Sequence, residues 1–149
     1  MLLAVILIGV AVFSVLYVVQ SVFFPHTYTI SSTSTHTVFG GNYTYPGFYS
    51  LELTDLKQGD TWEIKVSVTG GTVGTTFCVL SDGPYETWAS SYYFTKGPGL
   101  TFPWDQCVDS SGSTLQATLT FKVPSSGTWD IVAINTNPNI VTVTYSPAF

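Results

Sequence analysis

The sequence predicts a mainly β protein: a single N-terminal hydrophobic α-helix, then an immunoglobulin-like or jelly-roll antiparallel β-sandwich of about seven strands. Three observations carry this. Sixteen of the first 24 residues are Leu, Ile, Val or Phe, and none of the 24 is charged. From Phe48 onward apolar and polar residues alternate with a period of two, the pattern of strands with one face in a core. Turn signals rich in Gly, Pro, Asn and Ser recur between these runs, as they do in sandwiches.

The opening run, residues 1–24, is long enough as a helix to cover about 36 Å, against about 30 Å of bilayer hydrocarbon. Its apolar side chains supply roughly −5 to −10 kcal/mol of insertion free energy. Without a polar face it does not fit a surface-lying amphipathic helix. Lipid, or the helical core of an assembly that imitates lipid, is its expected place. Leu7, Val12, Leu16 and Val19 are the residues expected to pack one copy against the next. Pro25 ends the helix, because it cannot extend an α ladder and biases Phe24 toward extended geometry.

Residues 25–47 read as a Ser/Thr-rich neck and first strand. The run HTYTISSTSTHT is a poor helix former and is dense in potential O-glycan acceptors, although a bare solvated linker strand is an equal reading. Asn42-Tyr43-Thr44 is an N-glycosylation sequon in a Gly-rich loop. The head then occupies residues 48–149. Leu51 and Leu53 lead into the Lys57-Gln58-Gly59-Asp60 turn, and Trp62, Ile64, Val66 and Val68 alternate with polar residues. Gly70-Gly71 ends that strand and TTFCVLS makes the next. Leu115, Ala117, Leu119 and Phe121 mark the cleanest strand, followed by TWDIVAIN and IVTVTYS. Between them, Ser81–Trp88 suggests a single helical turn, with N-cap residues and an early Pro84. Residues 92–113 read as an irregular aromatic insertion, expected to serve packing first and contact with a neighbouring subunit second.

Cys78 and Cys107 would close a loop of about 30 residues; in an exported chain a disulfide is the leading reading, ahead of two free thiols. A zinc site is poorly supported, because His26 and His36 lie far upstream of both cysteines. Asp105 and Asp109, with Asp82 and Glu86, are the one acidic cluster in loops; solvation explains them better than calcium. No catalytic motif appears, so the chain is expected to be no enzyme and to need no cofactor.

Charged residues are 9% of the chain, with four Lys, no Arg and nine acidic residues. Nothing neutralises phosphates, so nucleic acid is excluded as a partner. A neutral, hydroxyl-rich surface suits an extracytoplasmic protein, including one that faces acid. It is too sparingly acidic for a halophile.

Two resemblances add to this reading. Residues 1–24 precede any basic residue, since the first is Lys57, and the run is followed by no A-x-A-type cleavage site. That layout resembles type IV pilins and archaeal flagellins, whose basic leader is cut off before the hydrophobic helix. The resemblance implies a structural subunit of an extracellular filament, with helices of many copies in the core and heads outside. An encoded start at Met1 would instead make the run an ordinary anchor. Over residues 51–146, the order Gly59-Asp60, FCVLSDGPYETW and FKVPSSGTWDIVAIN looks like Golgi-dynamics-like jelly-roll ectodomains tethered to membranes. That implies an accessory or adhesion subunit anchored outside the cytoplasm. A viral envelope protein fits the same layout. In each case the partners are a membrane or copies of the chain itself, with glycans on the head.

Overall fold

The structure is a computed structural model that describes residues 27–42, 45–71, 74–95 and 101–149. Residues 1–26 lie outside the described residues, and with them the expected helix, His26 and the packing residues Leu7, Val12, Leu16 and Val19. Among the described residues no helix is long and apolar enough to cross a membrane.

Among the described residues nine strands are formed: β1 Thr27–Tyr28, β2 Ser34–Val38, β3 Gly47–Leu56, β4 Thr61–Thr69, β5 Thr75–Ser81, β6 Asp109–Thr114, β7 Gln116–Lys122, β8 Gly127–Asn135 and β9 Val141–Pro147. A helix, α1 Asp82–Thr95, follows β5, and a 3-10 turn spans Trp104–Gln106. The strands build two sheets. In the first, β7, β4, β9 and β2 are neighbours in that order. The short β1 runs parallel to the start of β4, on the edge that β9 takes further along. The second sheet has the order β3-β8-β5-β6. Consecutive strands alternate between the sheets until β5 and β6, then resume, which is the winding of an eight-stranded jelly roll with β1 added.

The alternation read from the sequence explains the packing. Ile64, Val66 and Val68 of β4, Leu119 and Phe121 of β7 and Val141, Val143 and Tyr145 of β9 are all buried between the sheets. They meet Phe77, Val79, Ile131 and Ala133 from the opposite sheet. Val38 of β2 belongs to the same core, so part of the Ser/Thr-rich stretch is built into the sandwich. The buried Tyr145 hydroxyl donates to the Ile131 carbonyl at 3.3 Å, which satisfies the one polar atom it brings into the core.

Four expectations need correction. Among the described residues the strand count is nine, because β1 and β6 carry no apolar alternation and are held by backbone pairing with polar and aromatic side-chain contacts. Leu115 lies outside the strand it was expected to open, half exposed in the turn between β6 and β7. The single helical turn is a helix of 14 residues. Tyr85, Trp88, Ala89 and Tyr92 fall at i, i+3, i+4 and i+7, so one stripe packs on the β3-β8-β5 face. The stretch 92–113 is correspondingly ordered in its described parts as the end of α1, the 3-10 turn and β6.

Candidate functional site

Both faces of β8 are covered, one by the other sheet and one by α1, so β8 reads almost continuously buried. The layer over the second face is aromatic. Trp88 is its centre, with ring centroids 4.7 Å from Phe48, 4.9 Å from Phe102 and 5.5 Å from Tyr92. The Cys78–Cys107 disulfide, with Cα atoms 5.5 Å apart, ties the 101–108 segment onto β5 beside this cluster. Among the described residues no cysteine is free. An open cleft of about 850 Å³ lies between α1 and this segment, lined among others by Thr87, Trp88, Phe102, Asp105 and Gln106.

Under the first turns of α1 sits a polar group that periodicity does not reveal. Asp130 is only 2% exposed. Its Oδ1 accepts from the Ser50 hydroxyl at 2.6 Å, while Oδ2 is buried with no partner. Burial pushes this carboxyl up to about 6; the Ser50 bond acts the other way, and Asp82, Glu52 and Glu86 add to the rise. The hydroxyl of Tyr85 is pushed up to about 12, first by burial and then by Asp130. The sequence clue is an aspartate in the middle of the apolar run TWDIVAIN.

The other candidate residues do not converge. His36 stacks on Tyr49, ring centroids 3.8 Å apart, in a core-facing contact rather than beside a nucleophile. Asp109 Oδ2 accepts from the Thr120 amide at 2.8 Å, which joins β6 to β7. Among the described residues no three His, Cys, Asp or Glu side chains come together as metal ligands would. Asn42 is exposed in the loop between β2 and β3, and its Oδ1 accepts from the Tyr45 amide at 2.8 Å. Tyr43 and Thr44 of the sequon lie outside the described residues.

The head has two different ends. Thr27 pairs with Thr61 at the start of β4, and Pro147 pairs with Ile64 close by, so both ends of the described chain meet at one pole. The Ala148 amide donates to Thr29 Oγ1 there at 2.9 Å. Thr69, at the other end of β4 and roughly 26 Å away along the strand, pairs with Thr142 beside the 136–140 loop. At that far pole Asn135 donates to the carbonyls of Phe39 and Asn139, joining two loops. Several of the exposed apolar side chains lie on these loops and on the end of α1, with Phe39 71% exposed, Tyr93 67% and Phe94 87%, while the C-terminal Phe149, 75% exposed, lies at the terminal pole. Residue types alone show aromatics on both faces of α1; only the fold separates the buried Trp88 from the exposed Phe94. Replacing Phe94 by Ser is therefore expected to change stability by less than about 0.5 kcal/mol, which a thermal melt of the variant checks.

No protein-family profile matches the sequence, and no curated protein matches it. Solved structures to which the chain is similar include PirA, with a TM-score of 0.48, 13% identity and coverage of 80% of this chain and 96% of that one. CBM4 has a TM-score of 0.44 at 13% identity, covering 79% of this chain and 72% of that one. CorA, a surface-associated copper-binding protein of Methylomicrobium album BG8, has a TM-score of 0.43 at 13% identity, covering 83% and 98%. Likeness at this level carries no argument about function.

Proposed function

We propose that the chain is a non-enzymatic structural subunit displayed outside the cell, its jelly-roll head carried on residues 1–24. In the first form of this reading the apolar segments of many copies pack in the core of a type IV pilus-like filament. In the second a single segment anchors the head in a membrane as an accessory or adhesion subunit. The observation that supports display is the polarity of the head. Its first strand begins at Thr27, three residues after the apolar run, at the pole opposite the exposed aromatic loops. A head oriented this way turns its apolar loops away from whatever holds residues 1–24. The disulfide suits an oxidising compartment.

The membrane-anchored form draws specific support from the same junction. With β1 starting at Thr27, the apolar run has the length of a bilayer crossing and no room for a long extension along the head. The filament form rests on the wholly uncharged run.

Val12→Asp tests the reading in both forms. An unpaired carboxylate in a helical core or in lipid costs several kcal/mol per subunit. Cells carrying V12D are expected to lose filaments seen by electron microscopy if copies assemble, or to hold a smaller membrane-bound fraction if they do not. Unchanged filaments and unchanged membrane association together would refute the proposal.

A further inference from the structure

A second cleft, of about 430 Å³, opens between the 29–34 segment and β3, at the side where β2 and β3 are the outer strands of their sheets. Its lining includes Ile30, Leu51 and Leu53 as apolar surface and Ser31, Ser32 and Thr54 as hydroxyl groups. Two further lining residues hold buried polar atoms without a hydrogen-bond partner, Ser34 Oγ and Trp62 Nε1. The Trp62 indole is held in place by Tyr28, which stacks on it with centroids 5.5 Å apart and planes 23° from parallel. Buried hydrogen-bonding groups are rarely left unmade. Two in the wall of one cleft are therefore a reason to look for a partner that enters it.

We propose that this cleft binds a neutral, polyhydroxylated ligand of the saccharide class. The indole N–H is a donor only and needs an acceptor, whereas the Ser34 hydroxyl takes either role. A sugar hydroxyl supplies both functions at one atom, and its ring supplies C–H faces for the leucines. Glu52 is the one charged residue in the lining, so the cleft accepts from hydroxyls and repels anions. The volume falls within the range of small-ligand sites. Ser31 to Thr33, exposed and outside any strand, form the side that can yield to admit the ligand to the two shielded atoms.

The experiment is a titration of the full chain, in a detergent without sugar groups, with maltotriose, cellotriose and glucose 6-phosphate, read by the indole N–H resonances. At least one neutral trisaccharide is expected to shift the Trp62 resonance saturably, with glucose 6-phosphate at least about tenfold weaker. Trp62→Phe and Ser34→Ala are each expected to weaken binding about tenfold, the loss of one hydrogen bond. Ser34→Ala should keep or raise the melting temperature, because it removes an unpartnered polar atom, whereas Trp62→Phe also loses packing on Tyr28 and the core, so its binding is read well below its own melting temperature. No saturable shift with either trisaccharide, tighter binding of the phosphate, or variants that bind as the parent does would each overturn the proposal.

Discussion

Replacing Cys78 and Cys107 together by alanine should lower the stability of the head by about 3.5 kcal/mol. The two cysteines are 29 residues apart, and closing a loop of that length removes this much conformational freedom from the unfolded chain in the entropy model. For a head of this size the loss corresponds to a fall in Tm of roughly 10–15 °C. The damage should not be uniform. The 101–108 segment reaches the sandwich chiefly through Phe102, the disulfide and the Val108 amide, which donates to Val79 at 2.8 Å. Hydrogen exchange should therefore rise there before it rises in β4 or β8. A fall in Tm of under about 3 °C would show that the aromatic layer around Trp88 holds the segment by itself.

Acid should stabilise the head, with Asp130 the cause. Burial holds its carboxyl up at about 6 in the fold, against about 4 for an exposed aspartate. Between these values the unfolded chain gives up a proton that the folded chain keeps, so stability falls as pH rises. The contribution is complete below about pH 4 and gone above about pH 6, a change of roughly 2–3 kcal/mol. Asp130→Asn keeps an oxygen for the Ser50 hydroxyl and carries no charge. It is expected to raise Tm at pH 7 by roughly 10 °C and to leave it unchanged at pH 4. Thermal melts of the two proteins across this range isolate the single group. Parallel curves, with no pH dependence in their difference, would contradict the assignment.

Much of the sandwich was legible because burial on one face imposes a period of two. β4 and β7 announce themselves through Ile64, Val66, Leu119 and Phe121, and β9 through Val141, Val143 and Tyr145. The helix was harder. Its buried stripe of Tyr85, Trp88, Ala89 and Tyr92 is masked in the sequence by Tyr93 and Phe94, which face solvent. β6, with the sequence DSSGST, has no apolar pattern; its pairing with β5 depends on backbone groups and on serine hydroxyls such as Ser111 Oγ, which accepts from the Phe77 amide, and neither leaves a hydrophobic period. The cysteine pair was legible as the leading reading for two cysteines in an exported chain, and the structure joins Cys78 to Cys107. Asp130 under α1 and the Ser34–Trp62 cleft were not, because each juxtaposes residues from strands distant in sequence. Residues 1–24 and their packing positions stand as a reading of composition alone.

The central claim is that the apolar run, and not the head, decides where the chain resides. Fractionation of cells expressing either the full chain or residues 25–149 tests it most directly. The full chain should sediment with membranes or sheared fibres, and the shortened one should be a dispersed monomer. A full chain recovered as a freely dissolved cytosolic monomer would contradict the account.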